Sequence, residues 1–196
     1  MVEREILLDE GRAAWVSART LDDLCRLGAG FVDGLLAFFP GWAASSLDRE
    51  SEAIAAHLAA LNRAGFLTVA SQPGSPPRAS HDGALHEQRA FVCGFATQRV
   101  ARSLASYDGS DARIVVATFR RGSRGGARLA VSRRGSAAHA FAGYCAFEEE
   151  LECFAPCVST EALRALERST YVSALDLEWG REARLWSELA RVLGSS

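Results

Sequence analysis

Apolar residues recur at two different spacings along the chain, and the change of spacing marks where helices give way to strands. From Thr20, which can cap a helix, to Pro40, which ends one, the apolar residues follow the helical repeat. A second helical pattern covers 51–64 and is followed by Gly65, a typical C-terminal cap. A period of two then begins at Phe66 and predicts a strand over 66–70.

The rest of the chain alternates between strand and helix patterns without an internal repeat. Strands are predicted at 88–96, 113–119, 127–132, 138–147 and 171–177, and helices at 97–107, 159–167 and 181–193. The near-continuous apolar run at 113–119 is typical of an interior strand. These patterns predict a single domain over 1–196 of the α+β, or irregular α/β, class. We expect a mixed sheet of about five or six strands flanked by helices, with two N-terminal helices.

The longest stretch without periodicity lies at 71–87, directly after the first predicted strand. It holds three of the five prolines and two of the four histidines, and its middle has the composition of irregular chain. Loops of this length inside compact domains are usually functional or disordered. We therefore predict that 75–87 is a mobile loop.

Polar residues lie at both ends of this stretch. If the flanking strands pair as a long-looped hairpin, the segment 71–74 faces 88–89 at one edge of the sheet. Buried polar groups without partners cost about 1–3 kcal/mol each, so these groups either satisfy one another in a turn or bind a ligand. The second alternative predicts a pocket for a small polar ligand, such as a nucleotide or another metabolite. The candidate ligand-binding residues here are Thr68, Ser71, Gln72, Gly74, Gln88 and Arg89.

The last predicted strand ends in two carboxylates. Asp176 and Glu178 alternate with leucines, so both carboxylates lie on one face of the strand. Three interpretations remain open: the pair completes the ligand edge, coordinates a cation, or forms a solvated strand face. We include Asp176 among the candidate ligand-binding residues.

The sequence identifies no catalytic residue and no cofactor. Ser71 lacks the flanking glycines of a nucleophile elbow. His81 and His86 lie within the stretch 71–87, and His86 is the better candidate for proton transfer because it is closer to the next strand. Whether the protein is an enzyme stays open at this point.

The composition of the chain indicates which kinds of partner and which cellular compartment to expect. The net charge of −2 gives no general attraction to nucleic acid or anionic membranes, and no apolar run approaches the ~20 residues of a membrane span. The charged N-terminus leads us to expect no export signal. Five scattered cysteines indicate reduced thiols in a cytoplasm, and the spacing of the later ones around His139 fits no common zinc site, so we predict no metal.

Arginine is the only strongly basic residue type, and six arginines cluster at 120–134, where the sequence RRGS occurs twice. If strands flank the first of these copies as a hairpin, both copies lie at one edge and form a basic patch. This arrangement predicts the alternative function, a non-catalytic domain that binds protein or nucleic acid through the arginine-rich hairpin. The acidic run 148–152 would neutralise the patch within the fold or across a dimer. The oligomeric state does not follow from the sequence.

The blocks LNRAGFLTVASQPG (61–74) and QRAFVCGF (88–95) resemble a family of uncharacterised, mainly actinobacterial proteins known as a domain of unknown function. An early W…ART pattern at 15–20 and a late WGR…LW pattern at 179–186 extend the resemblance over most of the chain. The resemblance implies a single domain and draws attention to the SQPG segment. It implies no particular activity.

Overall fold

The protein is an α+β domain, described by a computed structural model over residues 2–79, 82–107 and 109–194, with side chains from Leu8 onward. Its helices are α1 (Val2–Ser17), α2 (Leu21–Val32), a 3-10 helix (Ser51–Ile54), α3 (Ala55–Ala64), α4 (Gln98–Ala105), α5 (Phe147–Phe154), α6 (Thr160–Glu167) and α7 (Arg184–Gly194). Its strands are β1 (Phe66–Ala79), β2 (Leu85–Ala96), β3 (Ile114–Phe119), β4 (Gly126–Arg134), β5 (Ala137–Tyr144) and β6 (Thr170–Asp176). The predicted class, the six-stranded sheet and the two N-terminal helices at 20–39 and 51–64 are confirmed, although the first ends earlier than predicted.

The N-terminal helices begin and end for local reasons. Thr20 and Asp23 form a reciprocal capping box, in which each side chain accepts a hydrogen bond from the other's backbone N–H, at 3.1 and 2.9 Å. Helix α2 ends at Val32, short of the predicted Pro40, because Gly34 adopts a left-handed conformation (φ 74°). Helix α1 was not predicted, and it is anchored by the fully buried Trp15, whose indole donates to the Phe38 carbonyl.

Strand β2 organises the sheet by pairing with three other strands. One edge of β2 pairs with β1 along its length, while the other edge pairs first with β4 (86–88) and then with β6 (91–96). Strand β3 extends the β6 side and β5 extends the β4 side. Every pairing among the described residues is antiparallel, so the prediction of a mixed sheet is wrong. Strands β2 and β3 flank α4 and run in the same direction, but β6 lies between them and runs the opposite way.

Two strands differ from their predicted places. Strand β1 continues to Ala79, so the segment predicted to be irregular from residue 71 is paired with β2, with a register irregularity between Ser75 and Arg78. The mobility of 75–87 stays a prediction. Strand β3 pairs only with β6 and therefore forms an edge of the sheet, although its apolar run is typical of an interior strand. Ile114 and Val116 pack with one helix-covered core and Phe119 with the other, which accounts for the apolar residues.

The centre of the sheet, where β1, β2 and β6 pair, is buried on both faces. Phe66, Val92 and Ala96 pack with α3, α4 and α7 on one face. Leu67 and Phe95 pack with α1, α2, α5 and α6 on the other. The period of two along β1 and β2 therefore divides their apolar residues between two separate cores. No helix within the described residues is long and apolar enough to span a membrane.

Candidate functional site

Thr68, the innermost candidate residue, is fully engaged with a neighbouring asparagine. The Thr68 hydroxyl accepts a hydrogen bond from the Asn62 amide at 2.7 Å, and the Thr68 backbone N–H donates to the other end of that amide at 3.3 Å. Asn62 is fully buried in α3 and also donates to the Leu58 carbonyl. Thr68 therefore joins β1 to α3, and its hydrogen bonds are used within the protein.

Gln72 is also used within the protein. Its amide nitrogen donates to the backbone carbonyls of Arg89 at 3.0 Å and Val131 at 2.8 Å. The Gln72 side chain is almost completely buried and lies where β2 leaves its pairing with β6 and begins to pair with β4. Gln72 therefore donates hydrogen bonds to two carbonyls at the point where the partner of β2 changes from β6 to β4.

Arg89 belongs to a cluster of stacked side chains. Its guanidinium lies 4.2 Å from the centre of the Trp179 ring and donates to the Ala130 carbonyl at 2.9 Å. Arg133 lies 4.3 Å from the same ring and is paired with Glu87. Burial, and then the charge of Arg133, lower the pKa of Arg89. This cluster holds the loop that follows β6 against β2 and β4.

Asp176 lies in a network of ion pairs at the end of β6. Its side chain is fully buried, accepts a hydrogen bond from the Glu178 backbone N–H, and has one oxygen 2.7 Å from Nε of Arg181. Arg181 also binds Asp111 at 2.6 Å and Glu178 at 3.1 Å. Burial raises the pKa of Asp176, and the Arg181 charge opposes that rise. Asp176 is therefore an internal ion-pair partner. This excludes the interpretation in which both carboxylates lie on a solvated face of the strand.

The seven candidate residues do not line one cavity. Thr68 and Ser71 line a small, mainly apolar pocket of about 110 Å³ next to Phe39 and Trp42. Gly74 and Gln88 line a separate groove of about 870 Å³, which we call the polar groove. Gln72, Arg89 and Asp176 are not lining residues of either. The 3-10 helix and α3 contribute residues to both and separate them.

The polar groove lies between the outer half of the β1–β2 hairpin, the 3-10 helix with α3, and the beginning of α7. Its ionisable and amide side chains are Arg49, Glu50, His57, Arg78, His86, Gln88 and Glu182. The His57 ring stacks on the ring of the buried Trp186, with their centres 6.0 Å apart. The His86 ring nitrogen lies 3.3 Å from the Ser132 hydroxyl. His81, the other loop histidine, lies outside the described residues.

Gly74 allows the loop at 177–183 to close one side of the polar groove. Gly74 has a φ of 84°, and a Cβ at this position would lie 2.6 Å from the Arg181 carbonyl oxygen. Gly180 donates its N–H to the Gln88 carbonyl at 2.9 Å, and the Trp186 indole donates to the Pro73 carbonyl at 3.3 Å. The SQPG and WGR…LW blocks of the sequence are therefore in contact. Their backbones approach so closely at Gly74 that a side chain there would clash.

Gln88 lines the polar groove with a side chain that is only 7% exposed. Its amide makes no hydrogen bond with any residue that the structure describes, and its polar atoms reach the surface, since the fully buried polar atoms without a hydrogen bond among the described residues are Arg89 Nε, Asp176 Oδ2 and Arg181 Nε. Its two donors and its acceptor are therefore available to a molecule in the groove. The sequence placed Gln72 and Gln88 at the same sheet edge, and the structure shows that only Gln88 opens onto the groove.

The arginine-rich segment is divided between distant places. The first RRGS copy follows β3, and the second begins at the end of β4, so the two copies are separated by the length of β4, about 27 Å. Arg121 pairs with Glu148 of the acidic run at 3.8 Å and with Glu167 of α6 at 2.8 Å. Arg133 and Arg134 pair with Glu87 and Asp82. The condition for one basic patch is therefore not met, and binding of nucleic acid or protein by this segment stays a prediction.

Within the described residues, no group of three or more His, Cys, Asp or Glu side chains is placed to hold a metal ion. The protein is therefore an α+β domain with a hydrophobic core on each face of its sheet and a polar groove beside the β1–β2 hairpin. No protein with a curated description matches the chain. The family model described as "Domain of unknown function (DUF6919)" matches residues 10–196, and the chain belongs to that family.

Proposed function

We propose that the protein binds a small polar ligand, such as a nucleotide or another metabolite, in the polar groove. The observation that carries this proposal is the Gln88 amide, which lines the groove, belongs to a side chain only 7% exposed and makes no hydrogen bond with a described residue. Each hydrogen bond that a ligand makes with this amide contributes about 0.5–1.5 kcal/mol. The proposal keeps Gly74 and Gln88 from the sequence-based site and adds His57, His86 and Arg78.

The groove offers several kinds of polar contact to one ligand. Arg49, Arg78, Glu50 and Glu182 form no ion pair within the described part of the chain, so the groove offers charged donors and acceptors of both signs. His57 of α3 and His86 of β2 also line the groove. A volume of about 870 Å³ is within the range of sites that bind metabolites and cofactors.

We also propose that the protein works in the cytoplasm. All five cysteines are free thiols, and two of them, Cys25 and Cys93, are buried in the core. Such a pattern suits a reducing compartment.

The ligand proposal is tested by a thermal-shift screen of nucleotides, sugars and amino acids, followed by calorimetry of each hit. At 100 times Kd, a single-site ligand stabilises the protein by about 2.7 kcal/mol, a rise in Tm of about 5–10 °C. We expect Gln88→Ala to weaken binding at least tenfold, because the truncated site loses hydrogen bonds to the ligand. Gln98→Ala is the matched control, since Gln98 is exposed on α4 and away from the groove. Equal affinity of both variants for every hit would contradict the proposal.

A further inference from the structure

A second depression lies beside the polar groove, between α3 and α7. This depression, which we call the apolar trough, has a volume of about 260 Å³ and shares His57 and Trp186 with the polar groove. The remaining side chains that form it are Ala60, Leu61, Ala64, Leu189, Ala190 and Leu193. Because His57 and Trp186 line both, the two depressions are neighbours on the surface of the protein.

The trough is open because the residues at its rim are small. Ala60 of α3 and Ala190 of α7 are exposed, and Ala64 is half-buried, whereas Leu61 and Leu189 form a buried floor. From Trp186 to Leu193 the trough follows α7 for about 10 Å. Its walls therefore suit a narrow apolar chain, which would displace water from leucine and alanine side chains.

The polar groove does not favour either sign of charge. Two arginines, Arg49 and Arg78, and two glutamates, Glu50 and Glu182, lie among its lining residues, so their formal charges cancel (2 − 2 = 0). A group bound there is selected by hydrogen bonding more than by net electrostatic attraction. The Gln88 amide can both donate and accept, which matches hydroxyl groups.

We infer that the ligand is an amphiphile, with an uncharged, hydrogen-bonding head in the polar groove and a linear apolar chain in the apolar trough. This inference rests on the proposed function, because the head occupies the site beside Gln88. It adds the chemical class of the ligand and a second subsite. The two subsites join at the His57–Trp186 stack, where the head meets the chain.

The test uses a series of n-alkyl β-glucosides from methyl to octyl, each below its micelle concentration, and measures Kd by calorimetry. Burial of one methylene is worth about a fourfold change in affinity, so we expect Kd to fall about fourfold per added carbon while the chain lies in the trough. Octanoate and octylammonium, which carry charged heads on a similar chain, are expected to bind at least tenfold more weakly than octyl glucoside. If either charged compound binds more tightly than octyl glucoside, the inference that the head is uncharged is wrong.

Variants separate the two subsites. Ala190→Glu places a charge in the trough, and we expect it to remove the dependence on chain length while leaving the Kd of methyl glucoside unchanged. Ser187→Glu is the control, because Ser187 is exposed on α7 and does not line the trough. Ala60→Leu, which fills the trough from α3, provides a second variant and is expected to weaken octyl glucoside selectively.

The outcomes distinguish the inference from the proposed function. A Kd that does not change with chain length, or no binding of any glucoside, contradicts the inference of an amphiphilic ligand. The proposed function is then tested by the thermal-shift screen of polar ligands alone. A dependence on chain length that persists in Ala190→Glu also overturns the trough assignment. If Gln88→Ala binds every member of the series as well as wild type, the head lies elsewhere and the proposed function fails.

Discussion

Gln72 and Gln88 carry the same side chain on neighbouring strands and have opposite roles. The Gln72 amide holds the carbonyls of Arg89 and Val131, whereas the Gln88 amide opens onto the polar groove without a partner among the described residues. Removing Gln72 takes its donor away from two carbonyls, of which the Val131 carbonyl is buried, while removing Gln88 breaks no hydrogen bond among the described residues. The cost of a substitution therefore depends on which groups it leaves behind.

We accordingly expect Gln72→Ala to lower the free energy of unfolding by about 2 kcal/mol, as measured by urea denaturation. Gln88→Ala is expected to change it by less than about 1 kcal/mol, because no internal hydrogen bond is lost. A larger loss for Gln88→Ala than for Gln72→Ala would contradict the roles given to the two amides.

Asp111 gives the protein a dependence on acid pH. A hydrogen bond from Arg181 is the main reason that the pKa of Asp111 is lowered from 3.8 to about 2 in the folded protein. A lowered pKa stabilises the fold above the unfolded value, and the contribution disappears as the pH falls from about 4 to about 2. Asp176 acts in the opposite direction, since its raised pKa gives stability at low pH that is lost as the pH rises through it.

We expect the wild-type protein to lose more stability between pH 5 and pH 2 than Asp111→Asn, measured by urea denaturation at each pH. The comparison isolates Asp111, because Asp176 is present in both proteins. Asp9→Asn, at an exposed position on α1, is the control and should follow the wild-type pH dependence. Parallel curves for wild type and Asp111→Asn would be the contrary result.

At the scale of elements, the β1–β2 hairpin and the loop at 177–183 fit each other through glycines. Gly74 approaches the Arg181 carbonyl, and a Cβ on Gly180 would lie 3.0 Å from Pro76. Both glycines have positive φ values, so neither position suits another residue. The contact closes the side of the polar groove and holds Glu182 and α7 in place.

We expect Gly74→Ala to destabilise the protein by about 2–4 kcal/mol, since it adds an overpacked contact to the cost of a positive φ. Gly122→Ala is the matched control: its φ is 77°, but a Cβ there would have nothing within 4 Å. The control should lose only about 1 kcal/mol. Similar unfolding midpoints for the two variants would argue against the close approach at Gly74.

Across the molecule, the sheet separates two cores, and two buried cysteines report on whether one of them, the core that contains Leu67 and Phe95, is intact. Cys25 and Cys93 are buried, and burial raises the pKa of each thiol to about 12. Cys153 is exposed. A thiolate is the reactive form, so a buried, protonated cysteine reacts only when the fold opens.

We expect a thiol reagent at pH 8 to modify Cys153 in the native protein while Cys25 and Cys93 stay unmodified until denaturant is added. Peptide mapping by mass spectrometry identifies the modified positions. Modification of Cys25 at the same rate as Cys153 would show that the core around α2 is open in solution.

Most of the helices and strands, and the edge of the sheet that holds Gly74 and Gln88, could be predicted from the sequence. Periodicity located α3, β2, α4, β3, β6 and α7, because apolar spacing reflects the geometry of a single helix or strand. It also brought Gly74 and Gln88 to one edge, since antiparallel strands that are neighbours in the chain meet at their connection. It missed the continuation of β1 to Ala79, because prolines and serines obscure a strand signal.

Which polar groups have internal partners depends on contacts between distant segments. Thr68 is bonded to Asn62 of α3, Gln72 to carbonyls of β2 and β4, and Asp176 is paired with Arg181 in the loop after β6. The tertiary structure also placed β3 at the edge, with β6 between β2 and β3. Local spacing sets the shape of an element, but the partner of a side chain depends on contacts between distant segments, which no local pattern encodes.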